Sequence, residues 1–421
     1  MRALINPSSC TQQFIQIPPS KSLAHRAVIC AALADGISRI DNIDYSMDIM
    51  ATLSAMEVLG AHIERFKDHV IVTGIKTLKA EKELYINCEE SGSTLRFLIP
   101  LFSLCEKKAV FTGKGRLMQR PQSVYDKLFE DHGTPLKRTE NHLIVDGRLE
   151  ASEFHVRGDV SSQFISGLLF ALPLLNKDSK VIIEGPYESE SYVNLTVDML
   201  KKFGVQIETE GRILTISGNQ SYHPQNITVE SDYSQMAFFA ALGVLNGPVR
   251  CGGLNQKSLQ GDRAIVHIIE QMNGKVTYEN DCYCFDKSEL EATEIDLADC
   301  PDLGPVLMML ASFAKGETKI INAGRLRIKE SDRIEAMETE LRKCGVQIRS
   351  TEDTIWITGK TEWSARETLS SHNDHRIVMA LAVGATIAKT PVVVEEAQAV
   401  CKSYPGFFED LAMLGLDVHV E

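Results

Sequence analysis

Cationic side chains and small hydroxyl residues gather at a few places along this 421-residue chain, in a pattern suited to a small polyanion. Lys21, Ser22 and Arg26 open one apolar segment. Glu90-Ser91-Gly92-Ser93-Thr94-Leu95-Arg96 opens a second, Arg120-Pro121 begins an amphipathic stretch, and Ser161-Ser162-Gln163 opens a third. Further on come Pro301-Asp302, the run Arg327-Ile328-Lys329-Glu330-Ser331-Asp332-Arg333, then Asn373-Asp374-His375-Arg376, and Lys402 before Ser403-Tyr404-Pro405. A helix N-terminus made of small residues such as Gly92, Ser161 and Ser162, with Lys or Arg nearby, suits phosphate or carboxylate. Guanidinium groups at Arg120, Arg333 and Arg376 suit bidentate capture of planar oxyanions. A pure anion binder gains nothing from carboxylates among its cations, so Asp302 and Glu330 are candidates for proton transfer. Taken singly, Ser22, Ser162 and Asp374 read as helix N-caps, Glu330 with Arg333 as an i,i+3 ion pair, and Lys402 or Arg120 as surface charge. Position changes that reading, because all of them fall at one phase of a repeat.

The repeat has two rows. Gly60, Gly133, Gly204, Gly274, Gly345 and Gly415 are spaced 73, 71, 70, 71 and 70 residues apart, each after an amphipathic helical pattern and before alternating apolar residues. Glycine there is expected as a left-handed C-cap, and the alternation as a hairpin. Ser22, Ser93, Ser162, Asp232, Asp302 and Asp374, spaced 71, 69, 70, 70 and 72 apart, mark the starts of helices apolar nearly all round, which should be buried. Each unit therefore reads as buried helix, strand, amphipathic helix, glycine, hairpin, used six times.

Net charge of −13 argues against nucleic acid, and no apolar run reaches membrane-spanning length. No signal peptide is evident in MRALINPSSC. The ten cysteines are scattered, and no His or Cys cluster completes a metal site around Cys282 and Cys284. They read as reduced residues of a cytoplasmic protein. No Walker lysine loop and no GxGxxG appears, so nucleotide is not expected.

The sixth unit lacks a return strand after Gly415, while Phe14-Ile15-Gln16-Ile17 precedes the first unit as a spare strand. We expect that strand to complete the last hairpin. The domains are then 1–18 plus 226–421, and an inserted 19–225, with crossings at Pro18-Pro19 and His223-Pro224-Gln225. The fold class is α/β: two similar domains of three units, whose buried-helix N-termini would line a hinged cleft with partial positive charge.

PPSKSLAHR, SGSTLRF, RPQ, SSQFISGLL, the LQGD of Leu259 to Asp262, RIKESDR, NDHR and VCKSYPGFF occur in the order of the enolpyruvyl (carboxyvinyl) transferases, which the chain resembles end to end. Within that family the shikimate branch fits better than the UDP-N-acetylglucosamine branch, whose cysteine-bearing loop is replaced here by Arg120-Pro121-Gln122-Ser123. A non-catalytic anion-binding module is the remaining alternative. The resemblance implies two domains of three βαβαββ units, and transfer of the enolpyruvyl group of phosphoenolpyruvate to shikimate 3-phosphate with release of phosphate. It further implies that Ser22, Arg26, Ser161, Ser162, Gln163, Ser189, Tyr192, Asp302 and Lys329 hold shikimate 3-phosphate. Lys21, Gly92, Arg120, Gln163, Arg333, Arg376 and Lys402 would hold phosphoenolpyruvate. Asp302 would be the base at the 5-hydroxyl, Glu330 the acid at C3, His375 an aid to proton traffic, and Lys21 a stabiliser of leaving phosphate. No metal or cofactor is expected, and the protein should act as a monomer. Glu90-Ser91-Gly92-Ser93 departs from the Asn-Ala-Gly-Thr of many relatives, and Arg325 stands where relatives often have asparagine.

Overall fold

A computed structural model describes residues 1–365 and 367–421. The chain forms two compact units, Met1–Pro18 with Glu230–Glu421, and the inserted Pro19–Val229. Each has its own continuous apolar core. In the inserted unit a buried and an amphipathic helix alternate: Lys21–Leu33 (α1) and Met47–Leu59 (α2), Gly92–Ser103 (α3) and Ser123–Asp131 (α4), Ser162–Ala171 (α5) and Glu190–Lys202 (α6). The other unit repeats this with Tyr233–Leu245 (α7) and Ala264–Gln271 (α8), Gly304–Ala311 (α9) and Arg333–Lys343 (α10), His375–Ala385 (α11) and Phe407–Met413 (α12). Every residue of α7 is buried, the polar Ser234 and Gln235 of its first turn as well as the apolar run from Met236 to Leu245.

Each repeat closes on a four-stranded sheet. In the second, Leu84–Asn87 runs parallel to Ala109–Thr112, and the hairpin Lys137–Arg138 with His142–Val145 adds antiparallel strands beside it. Where the chain passes between units, the strands are exchanged. Phe14–Gln16 does not complete the last hairpin. It lies parallel to Val249–Gly252 as the first strand of the fourth repeat. Arg2–Ile5 instead fills the gap, antiparallel to both Val392–Glu395 and Val418–Val420. Within that strand Ala3 and Ile5 are fully buried and Arg2 is exposed. Asn226–Thr228 in turn lies parallel to Ile37–Asp41 as first strand of the first repeat. The second crossing therefore falls at Val229–Glu230, later than His223–Gln225.

Two details of the repeat differ from expectation. All six amphipathic helices end in the same six-to-one backbone bond, from Ala61 N to Met56 O through to Leu416 N to Leu411 O. In the fourth repeat Gly274 itself donates that bond, so Asn273, at φ 65°, takes the left-handed position filled elsewhere by glycine. Asparagine tolerates that conformation best among the larger residues. At the other row, only Asp232 and Asp374 are N-caps. Ser91 and Ser161 cap α3 and α5 in place of Ser93 and Ser162, and α1 begins at Lys21, so Ser22 lies within its first turn. The Ser22 and Ser162 hydroxyls are thereby not committed as caps.

Candidate active site

Chemistry-bearing side chains form one cluster in each unit. In the inserted unit, Lys21 donates to Asp48 on α2 at 2.7 Å, with both side chains largely buried. Arg26, 2% exposed, is held on three sides: Nε to Thr196 Oγ1 at 2.8 Å and the two terminal nitrogens to the carbonyls of Ser22 and Tyr192. Tyr192 is thus tied to Arg26 through its backbone. Ser189, just before α6, takes φ 55°, a conformation few non-glycine residues adopt.

Gly92 leaves room for a close contact. A Cβ there would sit 2.8 Å from a terminal nitrogen of Arg120, so the Arg120 guanidinium lies flat against the start of α3. Arg96, one turn into that helix, donates to Gln163 Oε1 and to the Pro121 carbonyl, both at 2.9 Å, while Gln163 donates to Ser93 at 3.0 Å. Its guanidinium stacks 4.8 Å from the Phe164 ring centroid. One arginine therefore aligns Gln163, the Arg120-Pro121 loop and α5. The carboxylate of Glu90 leans over the Gly115 backbone, where a Cβ would lie 2.5 Å from it.

In the other unit the cluster is dense in both signs of charge. Asp302 accepts Lys329 Nζ and Arg333 at 3.1 Å through one oxygen, and Arg376 at 3.0 Å through the other. Burial alone would push this carboxyl up, but Arg376, Lys329 and Arg333 together hold it well below the usual carboxylate range. Burial also lowers the Lys329 ammonium against the pull of Asp302. Arg333, with no exposed side-chain surface, reaches Asp374 through Nε at 2.8 Å, Glu330 at 2.9 Å and Asp302. Asp374 both caps α11 and balances Arg333, which with His375 outweighs burial and keeps it ionised. His375 and Arg376 occupy the first turn of α11, and Lys402 donates to the Asn373 carbonyl beside them. Arg325 donates to the Ala298 carbonyl, and its charge adds to the lowering of the Lys329 ammonium.

A family model for EPSP synthase (3-phosphoshikimate 1-carboxyvinyltransferase) matches residues 5–411. The chain belongs to the EPSP synthase family. A 3-phosphoshikimate 1-carboxyvinyltransferase of Clostridium perfringens is 45% identical over 418 residues, 98% of each chain, and one of Clostridium acetobutylicum is 45% identical over 421 residues. The solved EPSP synthase from Acinetobacter baumannii superposes with a TM-score of 0.83 at 26% identity, covering 100% of this chain and 99% of that one. The enolpyruvyl transferase NikO from Streptomyces tendae shares the fold, with a TM-score of 0.80 at 17% identity. Sequence reasoning left out the supporting residues Asp48 and Thr196, and it placed Arg96 and Asp374 in the polar clusters without their roles as a support and as an ion-pair partner. A signal was available for Arg96: an arginine in an otherwise apolar buried helix must have partners. Among the described residues no helix is long and apolar enough to cross a membrane.

Proposed function

We propose that both clusters serve one reaction, in which the 5-hydroxyl of shikimate 3-phosphate adds to C2 of phosphoenolpyruvate and phosphate is expelled to leave the enolpyruvyl ether. The observation that carries this reading is a carboxylate, Asp302, shared among three cations within hydrogen-bonding distance in a chain of this family. In this reading Ser22, Arg26, Ser161, Ser162, Gln163, Ser189, Tyr192 and Lys329 hold shikimate 3-phosphate. Lys21, Gly92, Arg120, Gln163, Arg333, Arg376 and Lys402 hold phosphoenolpyruvate. Asp302 takes the hydroxyl proton and Glu330 delivers one to C3; as phosphate then leaves C2 the C3 methyl gives a proton back, which restores the double bond, with His375 assisting the proton traffic and Lys21 neutralising the departing phosphate.

With Arg376, Lys329 and Arg333 all paired to it, Asp302 is a weak base because the three cations stabilise its anion. Substrate anions that draw on Arg376, Arg333 and Lys329 relax that hold, so the base strengthens as the site fills. We take the protein to act as a cytoplasmic monomer on these two small molecules, a reading in keeping with ten free cysteines.

The deciding experiment follows phosphate release from phosphoenolpyruvate. Release is expected with shikimate 3-phosphate and not with UDP-N-acetylglucosamine; the converse assigns the aminosugar reaction, and release with neither leaves an anion-binding module. Gly92→Ala supplies a second test. The added methyl displaces the Arg120 guanidinium, yet Gly92 lies within a helix and the far end of an arginine can shift. The KM for phosphoenolpyruvate should rise about fivefold or more while the melting temperature moves by less than about 3 °C.

A further inference from the structure

His25 lies in the middle of α1, fully buried, four residues after Lys21 and one before Arg26. Its Nδ1 is 2.7 Å from Thr52 Oγ1 on α2, Thr52 Oγ1 is 2.7 Å from Thr94 Oγ1 on α3, and Thr94 Oγ1 donates to Ser91 Oγ at 2.8 Å. Ser91 is the N-cap of α3 and also accepts the Thr94 amide at 3.1 Å. Three helices are thus threaded on one buried chain of hydrogen bonds that ends at the residue preceding Gly92. A second link runs parallel one turn earlier, where Lys21 meets Asp48.

The direction of every proton in this chain follows from its end. The Thr94 hydroxyl proton is used on Ser91, so the proton between the two threonines belongs to Thr52. Thr52 then has none left for the imidazole, and His25 Nδ1 must be the donor. Nε2 is left as a bare lone pair, and among the described residues this buried atom has no hydrogen-bond partner, which suits an acceptor better than an N–H. The Phe97 ring stands edge-on to the imidazole at 6.4 Å between centroids. Burial first, then the neighbouring Lys21 and Arg26, hold the imidazole well below its usual range, so it carries no charge near neutrality.

We propose that neutral His25, as the Nδ1–H tautomer, is a positioning residue: through Thr52 and Thr94 it sets the N-terminus of α3, and with it Gly92 and the Arg120 guanidinium packed there. The inference rests on the assignment of that subsite to phosphoenolpyruvate. Arg26, held by Thr196 and two carbonyls, does not depend on the chain, so shikimate 3-phosphate should be largely indifferent to it.

Thr52→Val removes one hydroxyl and keeps the shape; Thr52→Ser keeps the hydroxyl. In steady-state kinetics Thr52→Val should raise the KM for phosphoenolpyruvate about tenfold, leaving the KM for shikimate 3-phosphate within about twofold and kcat within about threefold. Thr52→Ser should return the phosphoenolpyruvate KM towards wild type. Equal changes in both KM values, a change in kcat alone, no change, or failure of Thr52→Ser to rescue would overturn the proposal. Nitrogen-15 NMR of the unmodified protein tests the same chain whether or not Thr52→Val folds. His25 should show a protonated Nδ1 and an unprotonated Nε2 and should not titrate between about pH 5 and 8. A proton on Nε2, or titration in that range, would overturn it. Because that measurement needs no substrate, it stays informative if phosphate release shows the assigned reaction to be wrong.

Discussion

Replacing Arg333 with methionine is expected to destabilise the protein by about 3–5 kcal/mol at neutral pH, the usual cost of leaving buried charges without their partner. The arginine stem has an apolar equivalent in methionine, so the loss comes from charge rather than volume. The Arg333 guanidinium sits among Asp302, Glu330 and Asp374, and its own side chain has no exposed surface. The deficit should depend on pH with a definite sign. Asp302 and Asp374 are both held below the usual carboxylate range in the folded protein. Their contribution is therefore complete above the unfolded value of about 3.9 and is lost as pH falls through the folded one. In the variant the same carboxyls take up protons at higher pH and relieve part of the unbalanced charge. Denaturant midpoints should accordingly show the largest gap from wild type near pH 7, narrowing towards pH 4. A gap below about 1 kcal/mol at pH 7, or one that widens on acidification, would show that Arg333 is not the hub of the cluster.

Glu330→Gln should reduce turnover on the order of 10²–10⁴-fold, the range of general acid–base effects, because it keeps shape and hydrogen bonding while removing the transferable proton. Binding of shikimate 3-phosphate, measured directly by titration calorimetry, should change little, since that ligand is assigned mainly to the serine cluster and Arg26. Turnover at the wild-type rate would move the acid's role to His375 or Asp302. Loss of shikimate 3-phosphate binding together with turnover would make Glu330 structural, the partner of Arg333 at 2.9 Å and no more. The two variants separate the roles: one tests what holds the cluster together, the other what passes through it.

Some of this was legible residue by residue. Local features announce themselves over short spans: six glycine-marked helix ends, six apolar helices, and the order of motifs from PPSKSLAHR to VCKSYPGFF. Helix and strand periodicity act over two to four residues, so a fixed period of about 70 residues is visible in a single sequence. Even the exception at Asn273 obeys the same rule, one residue displaced from Gly274.

What the amino-acid sequence determined by itself was therefore the repeating unit, the family, and the side chains from which a site could be built. What the tertiary structure decided was who pairs with whom. Phe14–Gln16 and Arg2–Ile5 are both short strand-formers near the N-terminus, and nothing local distinguishes the edge each will join; only the sheets with open edges at Val249–Gly252 and Val392–Glu395 do so. The same holds for charge. Asp302 meets cations 27, 31 and 74 residues away, and Arg333 meets Asp374 41 residues away. Ion pairing depends on distance in space and on exclusion of water, and both are properties of the packed chain rather than of its order. The sequence named Arg333 as a cation for substrate, and packing surrounded it with three carboxylates because its position at the start of α10 is buried against the starts of α9 and α11.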